Sequence, residues 1–193
     1  MKKIILPAFL CLCCIVAKAQ LSFGVKAGVN HNSVRGDGEP FSLKSSTGFH
    51  LGAFGSIPLS SKLSLNPELQ YIRKQSETFG GNLNYLEVPI LFSYNLSSRF
   101  SLELGPSMGQ SIYTRMNSVG KKRPSLGSVD DLDFGMIGGG KFKISDKVSV
   151  VARYNYSFLP FEKFVFNDGP GTVTDTYKFY NSSVQLSVLY TIK

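Results

Sequence analysis

The residues of this chain able to do chemistry are spaced by twos among apolar neighbours. Glu68, Glu87 and Glu103 stand in this pattern, as do Lys26, Lys141 and Arg153, with His50, Gln70 and Gln185 in the same phase. Equal numbers of acids and bases on one face of extended chain suit an ion-pair network, since an unpaired charge away from water costs several kcal/mol. Glu103 and Lys141 are expected to pair, each lying about four residues from a tight turn. Nucleophilic catalysis would need a hydroxyl, a base and an orienting acid within reach of one another. One such neighbourhood exists, His31 with Ser33 and Asp37, and it holds one of only two histidines. Residues of these types often share a loop without acting together, so no catalytic or cofactor-binding residue is assigned and the chain is not expected to be an enzyme. The Asp130-Asp131-Asp133 group lacks the ligand spacing of a calcium loop and reads as a solvated strand entry, so no metal site is assigned.

Two further groups are suited to contact rather than catalysis. Arg115, Lys121, Lys122 and Arg123 could meet phosphate groups. Phe161, Phe164 and Phe166, with Val165, could offer a protein partner an apolar patch.

The elements that position these residues follow from strict alternation. In 21–30, Leu21, Phe23, Val25, Ala27 and Val29 share one face, and Ser22, Gly24, Lys26, Gly28 and Asn30 share the other. That is a strand with one apolar and one polar face. The same rule predicts strands at 47–57, 63–74, 84–94, 100–112, 132–144, 148–158 and 179–193, eight in all. Short Ser/Lys/Asp turns join strands two to three, four to five and six to seven. The other connections are long, at 31–46, 75–83, 113–131 and 160–178. Short turns at one end and long loops at the other are the plan of an eight-stranded antiparallel up-and-down transmembrane β-barrel. The strand YLEVPILFSY (85–94) fits, with Glu87 facing the lumen and Leu86, Val88, Ile90 and Phe92 facing lipid. Pro89 removes a ladder donor, so a bulge is expected there.

Alternation alone leaves open a lipocalin-like soluble carrier with the apolar face inward. Three features favour the membrane. The polar face is rich in glycine and serine, aromatic residues gather near strand ends, and strands of ~10 residues match a tilted bilayer crossing. A nearly neutral lumen network predicts a filled core, with a small or gated pore as the alternative.

Residues 1–19, MKKIILPAFLCLCCIVAKA, have the charged start, apolar middle and small-residue end of a signal peptide, leaving 20–193 as one barrel domain. All three cysteines fall in this leader, so the exported chain has no disulfide or thiolate chemistry. The whole chain carries a formal charge of +8. Without Lys2, Lys3 and Lys18, 18 Lys+Arg remain against 13 Asp+Glu, a net charge of about +5. The charges are scattered, which argues against a nucleic-acid partner.

The stretches FGVKAGVN, LNPELQYI, NYLEVPILFSYN, LELGPSMG, DFGMIGGGKFKI and VVARYNYSF, in this order, resemble the outer-membrane β-barrel family common in Bacteroidota and often labelled PorT-like. The resemblance covers nearly the whole exported chain and implies a monomeric barrel in the cell outer membrane, among lipid and lipopolysaccharide. One named member of that family takes part in assembling a protein-secretion system, so the resemblance points toward envelope assembly or secretion. The family's usual aromatic last residue is replaced here by Lys193.

Overall fold

The computed structural model describes residues 21–36, 45–76, 81–116, 122–123, 132–167 and 173–193. Eight long strands form the barrel wall: β1 (Ser22–Gly36), β2 (Ser46–Pro58), β3 (Leu63–Ser76), β4 (Gly81–Asn95), β5 (Phe100–Met116), β7 (Leu132–Lys143), β8 (Val148–Asn167) and β9 (Val173–Thr191). A two-residue strand, β6 (Lys122–Arg123), hangs on the far end of β5. Every pairing is antiparallel, and β1 pairs with β9 as well as β2, so the sheet closes. The eight-stranded barrel predicted from alternation is the fold.

The two faces separate as the alternation requires. Val29, Leu51, Leu104, Met108 and Val188 point outward and are 52–59% exposed. From Phe100 to Met108 the apolar belt runs eight residue steps along β5, about 20 Å along the barrel axis for a strand rising ~3.3 Å per residue at a tilt of ~40°. Lys26, His50, Glu68, Gln70, Glu87, Glu103, Arg153 and Gln185 point inward and are buried. Apolar faces out and charges in are the reverse of a soluble carrier.

The polar set does not fill the lumen alone. Leu91, Val151 and Leu189 point inward near the short-turn ends of their strands, and Ile72, Tyr85, Ile137 and Phe179 do so farther along. These side chains occupy the inward phase of strands read mainly for their outward hydrophobes.

Three expectations about the wall are corrected. The bulge lies at Asn84/Tyr85 against β5, where Ile112 is the extra residue, and the register runs unshifted through Pro89. Close to the proline, a Cβ on Gly105 would stand 2.0 Å from the Ile90 carbonyl oxygen, so only a glycine fits there. Second, the expected loop 160–178 is mostly strand. β8 and β9 stay paired from Pro160–Tyr180 to Asn167–Val173, because FEKFVF and VTDTYK are both β-formers on either side of an Asn-Asp-Gly turn signal. β1, β4 and β5 likewise run past the predicted loop boundaries, to Gly36, from Gly81 and to Met116. Third, Asp133 is not a solvated strand entry. It is 7% exposed and bonded to Lys74.

Candidate functional site

Five of the six lumen ionic residues expected from the sequence form one connected chain across the barrel. Lys26 Nζ donates to Glu68 Oε2 at 2.7 Å. Arg153 donates to both Glu68 oxygens, Nη1 to Oε2 at 2.9 Å and Nη2 to Oε1 at 2.8 Å. The same guanidinium donates from Nε to Glu103 Oε2 at 2.8 Å. Lys141 Nζ closes the chain at 3.2 Å from Glu103 Oε1, an electrostatic contact without hydrogen-bond alignment. Paired, multiply bonded charges are the form in which a buried network is tolerated.

Local backbone makes room for it. A Cβ on Gly139 would stand 2.2 Å from the Ala152 carbonyl oxygen and 2.8 Å from Arg153 Cγ, so the glycine lets the arginine stem lie flat on β7.

Glu87, the sixth, stands apart from this chain. Its oxygens accept from the amides of Asn155, at 2.7 Å, and Gln70. His50 Nε2 lies 2.7 Å from Ser187 Oγ, on the β9 side of the lumen.

Nearer the long-loop end, the structure adds a pair the sequence reading missed. Lys74 Nζ donates to Asp133 Oδ2 at 3.1 Å and sits 4.7 Å from the Tyr85 ring centre. Asn181 Nδ2 donates to the same carboxylate oxygen at 3.4 Å. Lys74 continues the inward phase of Glu68, Gln70 and Ile72, so extending the alternation to the end of β3 would have found it. With this pair the described lumen holds Lys26, Lys74, Lys141 and Arg153 against Glu68, Glu87, Glu103 and Asp133, and their formal charges cancel.

On the outer wall near the long-loop end, Arg35 stacks 3.7 Å from the Tyr156 ring centre and 5.7 Å from that of Tyr180. Its Nη2 donates to the carbonyls of Ser157 and Asn181 at 2.8 and 3.3 Å. Arg73 faces outward on β3, and Lys178 is exposed on β9.

The remaining sequence candidates distribute as follows. His31 Nδ1 lies 3.3 Å from Thr47 Oγ1, and Asp37 falls outside the described residues. Among the described residues no group of three or more His, Cys, Asp or Glu could hold a metal, and Asp130 and Asp131 lie outside them. Arg115, Lys122 and Arg123 have described backbone only, with Arg115 opposite Lys122 in the β5–β6 ladder. Lys121 lies outside the described residues. Phe161, Phe164 and Phe166 are backbone positions on the raised part of β8, with Phe164 opposite Tyr177 and Phe166 opposite Asp175.

Solved structures confirm the architecture. Neisserial surface protein A superposes with a TM-score of 0.55 at 15% identity, over 87% of this chain and 96% of that one. Ail, the attachment invasion locus protein of Yersinia pestis, crystallised with the heparin analogue sucrose octasulfate, gives 0.54 at 16% identity, over 89% and 99%. At such identities the likeness is one of fold. No curated protein matches the chain. The model of the outer membrane protein beta-barrel domain matches residues 5–191, spanning every strand from β1 to β9, and the chain belongs to that family, whose place is the outer membrane.

Proposed function

We propose that this protein is a sealed outer-membrane barrel that works by display: its long-loop end engages an envelope partner, and its lumen conducts nothing. The observation that carries this reading is the charge-balanced network spanning the lumen. Arg153 on β8 reaches Glu68 on β3, four strands away in either direction around the ring, and Lys74 on β3 reaches Asp133 on β7. Bonds of this kind cross the bore, and an eight-stranded barrel has little interior left once its side chains are placed.

The short turns face the periplasm and the raised strands face outside, following the usual arrangement of such barrels. Residues 1–19 act as a cleaved leader, and the exported barrel is monomeric, with an apolar belt on all sides. The display surface is the β8–β9 hairpin above Pro160 and Tyr180, which carries Phe161, Phe164 and Phe166, together with the cations Arg115, Lys121, Lys122 and Arg123 of the third long connection. The aromatics suit a protein partner and the cations suit lipopolysaccharide phosphates. The order of motifs quoted above supports placement in the PorT-like branch, and with it a part in envelope assembly or protein secretion; this link is an analogy of family rather than of site.

Two measurements test the reading. In planar bilayers the purified barrel should give no discrete conductance steps, and regular steps would favour the small-pore alternative. A variant with residues 164–177 replaced by Asn-Gly should fold, shown by a gel mobility that changes on boiling, yet lose protein cross-links formed in whole cells. Unchanged cross-links would remove the hairpin from the display surface.

A further inference from the structure

The three hairpin turns at the short-turn end repeat one construction: Leu59-Ser60-Ser61-Lys62, Leu96-Ser97-Ser98-Arg99 and Ile144-Ser145-Asp146-Lys147. In each, the first serine hydroxyl accepts from the backbone N–H groups two and three residues on, at 3.3 and 3.1 Å for Ser60, 3.3 and 3.0 Å for Ser97, and 3.4 and 3.1 Å for Ser145. Such a bond fixes the turn without help from the next two side chains.

The cationic residue is then tied sideways. Asn95 N donates to Lys62 O at 2.8 Å, Lys143 N to Arg99 O at 2.7 Å and Thr191 N to Lys147 O at 2.8 Å. Lys193 occupies the fourth corner by the same means, its carbonyl accepting from Phe23 N at 2.9 Å. Four cations are thus clamped by their own backbone around the rim.

An exposed apolar residue accompanies each: Leu59 at 46%, Leu96 at 55%, Ile144 at 57% and Ile192 at 53% exposure. Neither feature serves the turn, since a turn standing in water needs no leucine and no cation. Both serve a bilayer boundary, where the apolar residue continues the belt into the acyl region and the cation reaches the phosphate level. At Lys62, Arg99 and Lys147 the charge is not cancelled locally. Asp146 is the one described acidic side chain at this end, and it is bonded to Lys143 at 2.8 Å.

We infer that the short-turn rim is an anionic-phospholipid collar, in which Lys62, Arg99, Lys147 and Lys193 bind the headgroup phosphates of the leaflet at that end. The collar rests on the outer-membrane reading and adds a ligand class and the residues that take it.

The test uses the full folded chain in phosphatidylcholine nanodiscs doped with spin-labelled phosphatidylglycerol or, in parallel, spin-labelled phosphatidylcholine. The motionally restricted fraction should be larger for phosphatidylglycerol. In K62Q/R99Q/K147Q this preference should fall, by at most about fivefold per cation removed, the factor that corresponds to ~1 kcal/mol each. The control R35Q/R73Q/K178Q, altered at the opposite rim, should keep most of it. A turn variant that is folded by gel mobility and keeps the full preference overturns the collar, as does a loss confined to the control. Binding of isolated peptidoglycan that depends on the turn cations, with lipid preference unchanged, would assign the rim to the wall polymer and also overturn it. Failure of the unaltered chain to enter nanodiscs at all would instead refute the membrane reading beneath it.

Discussion

Arg153 holds Glu68 by two parallel hydrogen bonds, at 2.9 and 2.8 Å, from the opposite side of the barrel. The paired geometry matches the guanidinium fork to both carboxylate oxygens, which a lysine could not reproduce. The same guanidinium also reaches Glu103, so one side chain organises two carboxylates that would otherwise repel each other.

Removing Arg153 should therefore cost more than removing either acid. Arg153→Met leaves two buried carboxylates facing each other, and about 3–5 kcal/mol of stability should be lost, the range for breaking a buried pair. The midpoint of urea unfolding in detergent micelles, followed by gel mobility, gives the value. In the double variant E68Q/R153M the losses should fall short of additivity by at least ~1 kcal/mol, since contacting residues couple. Additive losses would mean that the fork holds geometry without contributing energy.

Gly139 and Gly109 should answer differently to the same change. A Cβ at Gly139 meets the Ala152 carbonyl oxygen at 2.2 Å, whereas the nearest atom to one at Gly109 is 3.6 Å away. Gly139→Ala should lower stability by about 1–3 kcal/mol or displace Arg153, as overpacking does. Gly109→Ala should lie within about 0.5 kcal/mol of the parent. Equal effects in a urea titration would show that β7 yields at Gly139.

The contrast between these glycines marks how far the sequence could be read. Alternation alone placed Lys26, Glu68, Glu103, Lys141 and Arg153 on one face, because a strand has a period of two and the barrel has only two faces. It could not say that Arg153 would skip its ladder neighbours and cross the lumen to Glu68, since that depends on barrel width and on the gap at Gly139. Nor could it show Ile72 and Phe179 facing inward, because an apolar residue in a polar phase looks like an irregularity until the wall is closed. The raised β8–β9 hairpin was legible in FEKFVFNDGPGTVTDTYK. Such barrels usually carry long loops at that end, and the charged residues among the aromatics look like one.

Asp146 offers a check on the turns at low pH. Its exposed carboxylate accepts from Lys143, and that hydrogen bond, with the lysine's charge, holds its pKa below the ordinary 3.8. The folded value is depressed, so the stabilisation is present above the unfolded pKa and fades as pH falls through the folded one. A carbon-detected NMR titration should place the Asp146 midpoint below 3.8 in the parent and nearer that value in Lys143→Gln. An unchanged midpoint in Lys143→Gln would remove the bridge from solution.

Lys74 and Asp133 join β3 to β7 across the long-loop half of the lumen, in contact with Tyr85 and Asn181. Both are nearly buried, with side-chain exposures of 4% and 8%, so neither can turn to water if its partner is lost. Asp133→Asn should therefore destabilise the barrel by about 3 kcal/mol or more, and Lys74→Met similarly, each leaving the other charge alone. The double variant K74M/D133L replaces both charges with apolar groups and should recover most of that loss, because the desolvation of both ions is then avoided. Urea midpoints of the four proteins decide it. If the double variant is as unstable as the singles, the pair holds the lumen by shape as well as by charge, and β3 and β7 should then separate at that end, seen as a wider distance between spin labels placed at Ser76 and Leu132.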